Sequence, residues 1–166
     1  MKKFILSAAA AAVLALPAIA RTEKGAYLNP KLPTEARVAD LLGRMTVEEK
    51  VGQLLCPFGW EMYEIKGPDK VVESQKFRDL IRDTGTGMLW ATFRADPWTQ
   101  KTLTNGLSPR QAAMAANAMQ KYVIDNTRLG IPMFLAEEAP HGHMAIGTTV
   151  FPTGLGMAAT WNPALM

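Results

Sequence analysis

The stretch Gly87-Met88-Leu89-Trp90-Ala91-Thr92-Phe93 predicts a short strand that is apolar on both faces, and Ile131-Pro132-Met133-Phe134-Leu135-Ala136 predicts a second one. Each stretch follows a helical pattern that ends in a glycine-containing turn, at Gly85 or Gly130, and glycine is the usual residue at helix ends. Pro132 counts against a central strand at this position, because proline removes a hydrogen-bond donor and is better tolerated at the start of a strand. Helices that alternate with strands buried on both faces indicate a parallel sheet covered by helices. The sequence therefore predicts an α/β protein, either an open doubly wound sheet or a (β/α)8 barrel.

Capping residues and apolar spacing predict four helices. Thr34 caps the first, and Thr46 with Glu49 forms a capping box before the second, in which each side chain satisfies a free backbone N–H. Ser108 and Gln111 repeat this arrangement before the fourth helix. The apolar positions expected to face the core are Val38, Leu41, Leu42 and Met45 in the first helix, Val47, Val51 and Leu54 in the second, Phe77, Leu80 and Ile81 in the third, and Ala112, Ala116, Met119 and Val123 in the fourth.

Residues 1–20 have the pattern of a secretory signal peptide. Lys2 and Lys3 precede an apolar run, and Ala18-Ile19-Ala20 is the small-x-small pattern that signal peptidase cleaves. The run is shorter than the roughly 20 residues needed to span a bilayer, and Pro17 interrupts it. We therefore expect an exported protein, periplasmic or extracellular, with no membrane attachment after cleavage.

Charge and cysteine content exclude several other classes of protein. Of the formal net charge of +3, two charges belong to Lys2 and Lys3, so the mature chain is almost neutral. No remaining stretch interleaves basic and aromatic residues as a nucleic-acid groove does, and no nucleic-acid partner is expected. Cys56 is the single cysteine, which excludes an internal disulfide. It lies in an apolar run, which favours a buried structural thiol.

The C-terminal residues predict an incomplete domain. Asn162 is a natural N-cap and Pro163 a natural first-turn residue, so a helix is expected to begin where the 166-residue sequence leaves no room to complete it. Residues 21–166 also fall short of the roughly 250 residues of a (β/α)8 barrel. If the fold is a barrel, we expect its N-terminal part only.

The polar cluster Glu137-Glu138-Ala139-Pro140-His141-Gly142-His143 directly follows the second predicted strand. The carboxyl ends of parallel strands hold the active sites of α/β proteins, so this cluster is the best candidate site. Neighbouring residues that leave a strand point to opposite faces, and Glu137 and Glu138 are therefore not expected to form a catalytic pair. One of them can bind vicinal hydroxyl groups of a substrate.

A metal site is the alternative interpretation of the same cluster. His141 and His143 resemble the His-x-His pair of metal-dependent barrel hydrolases, with a nearby carboxylate as a further ligand. Two histidines are few for catalytic zinc, and a turn residue bonded to the backbone is the simpler interpretation of His143. A third alternative is a non-catalytic, carbohydrate-binding fragment. Trp60, Trp90 and Trp98 are not counted as sugar-binding residues, because aromatic residues near buried strands usually belong to the core.

Three segments in order resemble the family 3 glycoside hydrolases. The first runs from Arg37 to Leu54, the second joins Leu129-Gly130-Ile131-Pro132 and Glu138-Ala139-Pro140-His141-Gly142 to Thr149-Val150-Phe151-Pro152, and the third runs from Leu155 to Pro163. The resemblance implies that residues 21–166 are the N-terminal part of a (β/α)8-like catalytic barrel. It also implies an exo-acting, retaining β-glycosidase that needs no metal or cofactor and removes terminal β-linked glucose or xylose from an oligosaccharide or glycoside.

The resemblance further implies which residues bind the sugar. Glu138 occupies the position where many members have an Asp that holds hydroxyl groups of the non-reducing sugar, and His141 has a shaping role in the same loop. The same resemblance implies that the catalytic nucleophile and acid/base lie beyond residue 166. Glu in place of Asp at position 138 resembles the xylosidase-like branches, and Pro140 replaces a more usual aliphatic residue.

Overall fold

The computed structural model describes residues 25–165, so the predicted signal peptide lies outside the described residues. Within this range no helix is long and apolar enough to cross a lipid bilayer. The elements, in chain order, are α1 Thr34–Arg44, α2 Val47–Leu54, β1 Tyr63–Gly67, β2 Lys70–Glu73, α3 Gln75–Asp83, β3 Met88–Trp90, α4 Pro109–Asn126, β4 Phe134–Ala136 and α5 Gly154–Ala158. Short 3-10 turns at Ala26–Leu28 and Pro163–Leu165 flank them.

Parallel strands lie side by side in chain order. β3 pairs with β4 in parallel, with Leu89 opposite Leu135. On the other side of β3, Phe58 forms a parallel bridge with Trp90, and the Trp90 N–H donates to the Pro57 carbonyl at 3.0 Å. The prediction of an α/β fold with parallel strands is confirmed. Neighbouring parallel strands in chain order are also how a (β/α)8 barrel begins, although residues 25–165 contain no closed barrel.

The core lies between α3, α4, β3 and an antiparallel hairpin of β1 and β2. The hairpin packs mainly on α4, which connects β3 to β4. This hairpin, whose strands are separated by the turn residues Pro68 and Asp69, was not predicted from the sequence. The buried core residues are Met62, Tyr63, Val71, Phe77, Ile81, Leu89, Leu107, Ala115, Met119, Val123 and Met133.

The local helix signals were mostly right. Both predicted capping boxes are present, Thr46 with Glu49 before α2 and Ser108 with Gln111 before α4. After α3, Gly85 has a φ of +67°, as predicted for a helix-terminating glycine. The prediction for Thr34 was wrong, because Pro33 precedes α1 and no side chain caps that helix.

The two predicted strands are shorter than expected. β3 ends at Trp90 because Ala91 turns the chain with a φ of +57°, outside the extended region. β4 begins at Phe134, and Pro132 lies before it, where its missing N–H removes no strand hydrogen bond. At the C-terminus Asn162 accepts the Ala164 N–H at 3.1 Å, but only a single 3-10 turn follows.

The predicted burial of the first two helices was right for Met45, which is 9% exposed, but wrong for most of the other apolar positions. Leu54 is 85% exposed, and the other apolar residues of α2 and two of α1 are also exposed. Among residues 25–165, α1 contacts mainly the 3-10 turn Ala26–Leu28, and α2 has no extensive contact with another helix or strand. Cys56, predicted to be buried, is exposed as well. Amphipathic spacing identifies an apolar face but does not supply the surface that covers it.

Candidate active site

The candidate site lies in the two loops that follow β3 and β4. The Ala91 N–H donates to the Ala136 carbonyl at 2.9 Å, at the end of the pairing between the two strands. Farther along, the Ala95 N–H donates to the Met144 carbonyl at 2.8 Å. Ala91 is fully buried despite its left-handed backbone, a costly conformation for a residue with a Cβ atom. The loops thus form one connected surface at the carboxyl edge of the sheet.

Glu137 joins the two loops from within. Its Oε1 accepts the Phe93 N–H at 3.0 Å, and its side chain is 16% exposed. Its Oε2 lies 3.3 Å from His143 Nε2, out of hydrogen-bonding geometry. Burial raises the pKa of Tyr63 to about 12, and the negative charge of Glu137 contributes to that rise. Glu137 therefore has a structural position beneath the surface of the site.

Glu138 occupies a different environment from its neighbour. Its side chain is 48% exposed, and its Oε2 accepts a hydrogen bond from Arg94 Nη1 at 3.0 Å. A half-exposed carboxylate can accept short hydrogen bonds from hydroxyl groups that approach from solvent. Of the two adjacent glutamates, Glu138 is the one whose carboxylate is more exposed to solvent.

Arg94 is held by a second carboxylate in its own loop. Its Nε donates to Asp96 Oδ2 at 2.6 Å, and Asp96 Oδ1 accepts the Thr99 N–H at 2.9 Å. Burial by itself raises the pKa of Asp96, but the Thr99 and Arg94 hydrogen bonds outweigh that effect and lower the pKa below its ordinary value. Asp96 is thus an ionised, well-bonded carboxylate that anchors Arg94.

Four aromatic side chains, Phe58, Trp60, Trp90 and Trp98, form an aromatic cluster at the same edge of the sheet. Their neighbouring ring centroids are 4.6 to 5.7 Å apart. The Arg94 guanidinium lies 4.8 Å from the centroid of the Trp98 ring. Trp98 is 53% exposed, so the core role that the sequence favoured for it was wrong. An exposed indole offers a ligand both an apolar ring face and a polar N–H.

His141 fixes the outer part of the second loop. The His141 Nδ1 lies 2.9 Å from the Phe151 carbonyl oxygen, and because a carbonyl only accepts, Nδ1 is the donor. The His141 carbonyl in turn accepts the Phe151 N–H at 2.6 Å. Gly142 follows with a φ of +111°, and a Cβ there would collide with the Thr149 carbonyl oxygen. His141 thus contacts a backbone segment, whereas His143 faces Glu137. Within residues 25–165 no group of three or more His, Cys, Asp or Glu residues is arranged to hold a metal ion.

Comparison with known proteins identifies the family. Residues 46–166 match the glycosyl hydrolase family 3 N terminal domain. The chain belongs to glycosyl hydrolase family 3. It is 34% identical over 164 residues to a periplasmic beta-glucosidase of Salmonella typhimurium, covering 96% of this chain and 17% of that protein. It is 32% identical over 145 residues to a protein named as a beta-xylosidase in Formosa agariphila, covering 87% of this chain and 18% of that protein.

A third relative is also named as a glycosidase. The chain is 30% identical over 149 residues to beta-glucosidase C of Emericella nidulans, covering 84% of this chain and 21% of that protein. In each case the chain spans about a fifth or less of the length of its relative. The family 3 resemblance of the sequence is therefore confirmed, together with a relationship to glycosidases.

Arg94 and Asp96 of this family 3 chain were not predicted from the sequence as site residues. The signal was available, because polar residues directly after a buried strand are as informative after β3 as after β4. Both histidines of the chain lie in the second loop, so the histidine signal points to that loop alone. Arg94 contacts Glu138 across 44 positions of the chain, a pairing that no local pattern reveals.

Proposed function

We propose that residues 21–166 are the N-terminal part of the catalytic barrel of an exo-acting, retaining β-glycosidase. Its substrate is an oligosaccharide or glycoside with a terminal β-linked glucose or xylose. Relatives named as beta-glucosidases and a beta-xylosidase support this class of substrate. The observation that carries the proposal is the placement of Glu138, half exposed at the carboxyl edge of parallel strands and next to the aromatic cluster.

In this proposal Glu138 binds the non-reducing sugar. An ionised carboxylate accepts hydrogen bonds from sugar hydroxyls, and exposed aromatic rings contact the apolar face of the same sugar. Such contacts tighten as the sugar ring distorts toward the transition state, so they contribute to kcat as well as to binding. His141 acts indirectly, because its two hydrogen bonds to Phe151 shape the loop that carries Glu138.

The catalytic carboxylates come from elsewhere in the proposed enzyme. A retaining glycosidase needs a nucleophile and an acid/base about 5 Å apart on opposite sides of the scissile bond. Glu137 and Asp96 are both engaged in loop-stabilising hydrogen bonds, and Glu138 is assigned to sugar binding. We place the nucleophile and the acid/base beyond residue 166 and assign no catalytic residue within this chain.

The test of the proposed function is Glu138→Ala in the complete protein that carries this chain. We expect a higher KM and a lower kcat with aryl β-glucoside and β-xyloside substrates, because hydroxyl contacts are lost. Proton NMR in the first turnovers should show a product that retains the β configuration. Glu35→Ala, which removes an exposed carboxylate from α1, is the control and should leave both constants unchanged. Wild-type kinetics for Glu138→Ala would remove Glu138 from the sugar-binding site.

Export forms the second part of the proposal. Residues 1–20 carry the signal-peptide pattern, and a relative is named as periplasmic. We propose secretion into the periplasm or the medium, with cleavage after Ala20. N-terminal sequencing of the protein recovered from these fractions should give Arg21 as the first residue, and retention of Met1 there would contradict the proposal.

A further inference from the structure

Arg94 lies between the two parts of the proposed sugar-binding site. It belongs to the loop after β3, and its side chain is 14% exposed. Through Nη1 it contacts Glu138 at 3.0 Å, and its guanidinium lies 4.8 Å from the centroid of Trp98 and 5.8 Å from that of Trp90. A largely buried arginine that contacts a half-exposed carboxylate and two indole rings connects the polar and the aromatic parts of the site.

Two contacts within its own loop restrict the orientation of Arg94. Asp96 binds Nε at 2.6 Å, and Asp96 is itself fixed by the Thr99 N–H and lies in the same loop. Trp98 lies against the guanidinium, a stacking arrangement that is favourable for arginine and indole. With Nε and the ring contact fixed, the direction of Nη1 is set by the loop. The conformational entropy of this long side chain is therefore lost before a ligand arrives.

The arrangement leaves one oxygen of Glu138 available for a ligand. Arg94 binds Oε2, and no side chain or backbone group within residues 25–165 donates a hydrogen bond to Oε1. One guanidinium faces two carboxylates, Asp96 and Glu138, so the three groups together retain a negative charge when both carboxylates are ionised. A sugar hydroxyl that approaches Oε1 thus meets an oriented, charged acceptor.

From this geometry we infer that Arg94 is a positioning residue, one that holds Glu138 in the orientation that accepts a sugar hydroxyl. The inference rests on the proposed function, because it assigns Arg94 a role through Glu138 and not through direct contact with the sugar. A lysine cannot reproduce it fully, since a single ammonium group lacks the planar fork that contacts Asp96 and Glu138 from separate nitrogens. Displacement of a binding group by about 1 Å can reduce catalysis up to about 100-fold.

The test is a double-mutant cycle in the complete protein with the variants Arg94→Met, Glu138→Gln and their combination. We expect each single change to raise KM and lower kcat, with kcat/KM reduced by roughly 10- to 100-fold. Because Arg94 acts through Glu138, the double variant should be no worse than the poorer single variant. Arg94→Lys should recover part of the loss. The matched control is Arg78→Met, which removes an arginine paired with Glu73 outside the site and should keep wild-type kinetics.

The outcomes separate this inference from the proposed function. If Glu138→Gln is impaired while Arg94→Met has wild-type constants, the inference is overturned and the proposed function stands. Multiplied effects in the double variant would also overturn it, because they would show that the two residues act independently. If Glu138→Gln has wild-type constants, both the role of Glu138 and the inference about Arg94 are lost. Should Arg94→Met fail to fold, Arg94→Lys and its combination with Glu138→Gln complete the same cycle.

Discussion

Helices α2 and α4 begin in the same way but differ in what their apolar faces contact. Each starts with a capping box, formed by Thr46 and Glu49 in α2 and by Ser108 and Gln111 in α4. In α4 the apolar face is buried against the hairpin and β3, with Met119 fully inaccessible. In α2 the apolar row of Val47, Val51 and Leu54 faces solvent.

Hydrogen bonds, and not apolar packing, connect α2 to the rest of the structure. Arg128, just after α4, donates to Glu49 Oε2 at 2.5 Å and to the Arg44 carbonyl at 2.7 Å. Burial raises the pKa of Glu49, but the hydrogen bonds from Arg128 and from the Thr46 N–H outweigh it and lower the pKa overall. The Gly87 N–H also donates to the Gly52 carbonyl at 2.9 Å, which ties α2 to the start of β3. Local sequence therefore determines where a helix begins, whereas its contribution to stability depends on what it packs against.

The largest expected effect on stability is in α4. Met119→Ala in the 166-residue chain should reduce the free energy of unfolding by about 2 to 5 kcal/mol, because it leaves a cavity in a fully buried part of the core. Urea denaturation followed by circular dichroism measures the loss. Asn117→Ala, on the exposed face of the same helix, is the control and should change the value by no more than about 0.5 kcal/mol. A loss below about 1 kcal/mol for Met119→Ala would contradict the assignment of α4 to the core.

Removing either capping residue should reduce stability less than Met119→Ala does, and the two losses should be unequal. Ser108→Ala is expected to cost about 1 kcal/mol of global stability, because α4 unfolds only with the core. Thr46→Ala removes an equivalent cap, but we expect it mainly to increase amide hydrogen exchange within α2, which can open locally. Threonine in place of serine at position 108 keeps the cap and serves as the control. Equal losses of global stability in both alanine variants would show that α2 and α4 unfold together.

Local signals predicted much of this fold. The capping boxes, the helix-ending Gly85 and the parallel pair of β3 and β4 all follow from residues close in sequence, and the structure confirms each of them. The hairpin was missed because its strands are short and only its Gly67-Pro68-Asp69 turn carries a local signal. The burial of α2 was predicted wrongly because periodicity records an apolar face and not its partner.

In the candidate site, too, some features follow from local sequence and others depend on tertiary structure. The position of Glu138 at the end of a strand follows from the order of elements along the chain. Its contact with Arg94, the anchoring of Arg94 by Asp96, and the exposure of Trp98 depend on how two loops meet across 44 positions of sequence. The sequence indicates the part of the fold that carries the site, and tertiary structure selects which side chains form it.

The smallest expected effect is also the most informative about α2. In the 166-residue chain Leu54→Ala should change the free energy of unfolding by less than about 0.5 kcal/mol, because the side chain is 85% exposed. In the longer enzyme of the proposed function we expect a loss of about 2 kcal/mol or more, because an apolar row of this kind is suited to pack against further structure. Lys50→Ala, on the same helix, should be nearly neutral in both. A large loss for Leu54→Ala in the 166-residue chain itself would show that α2 is already buried there, and the contrast between α2 and α4 would then disappear.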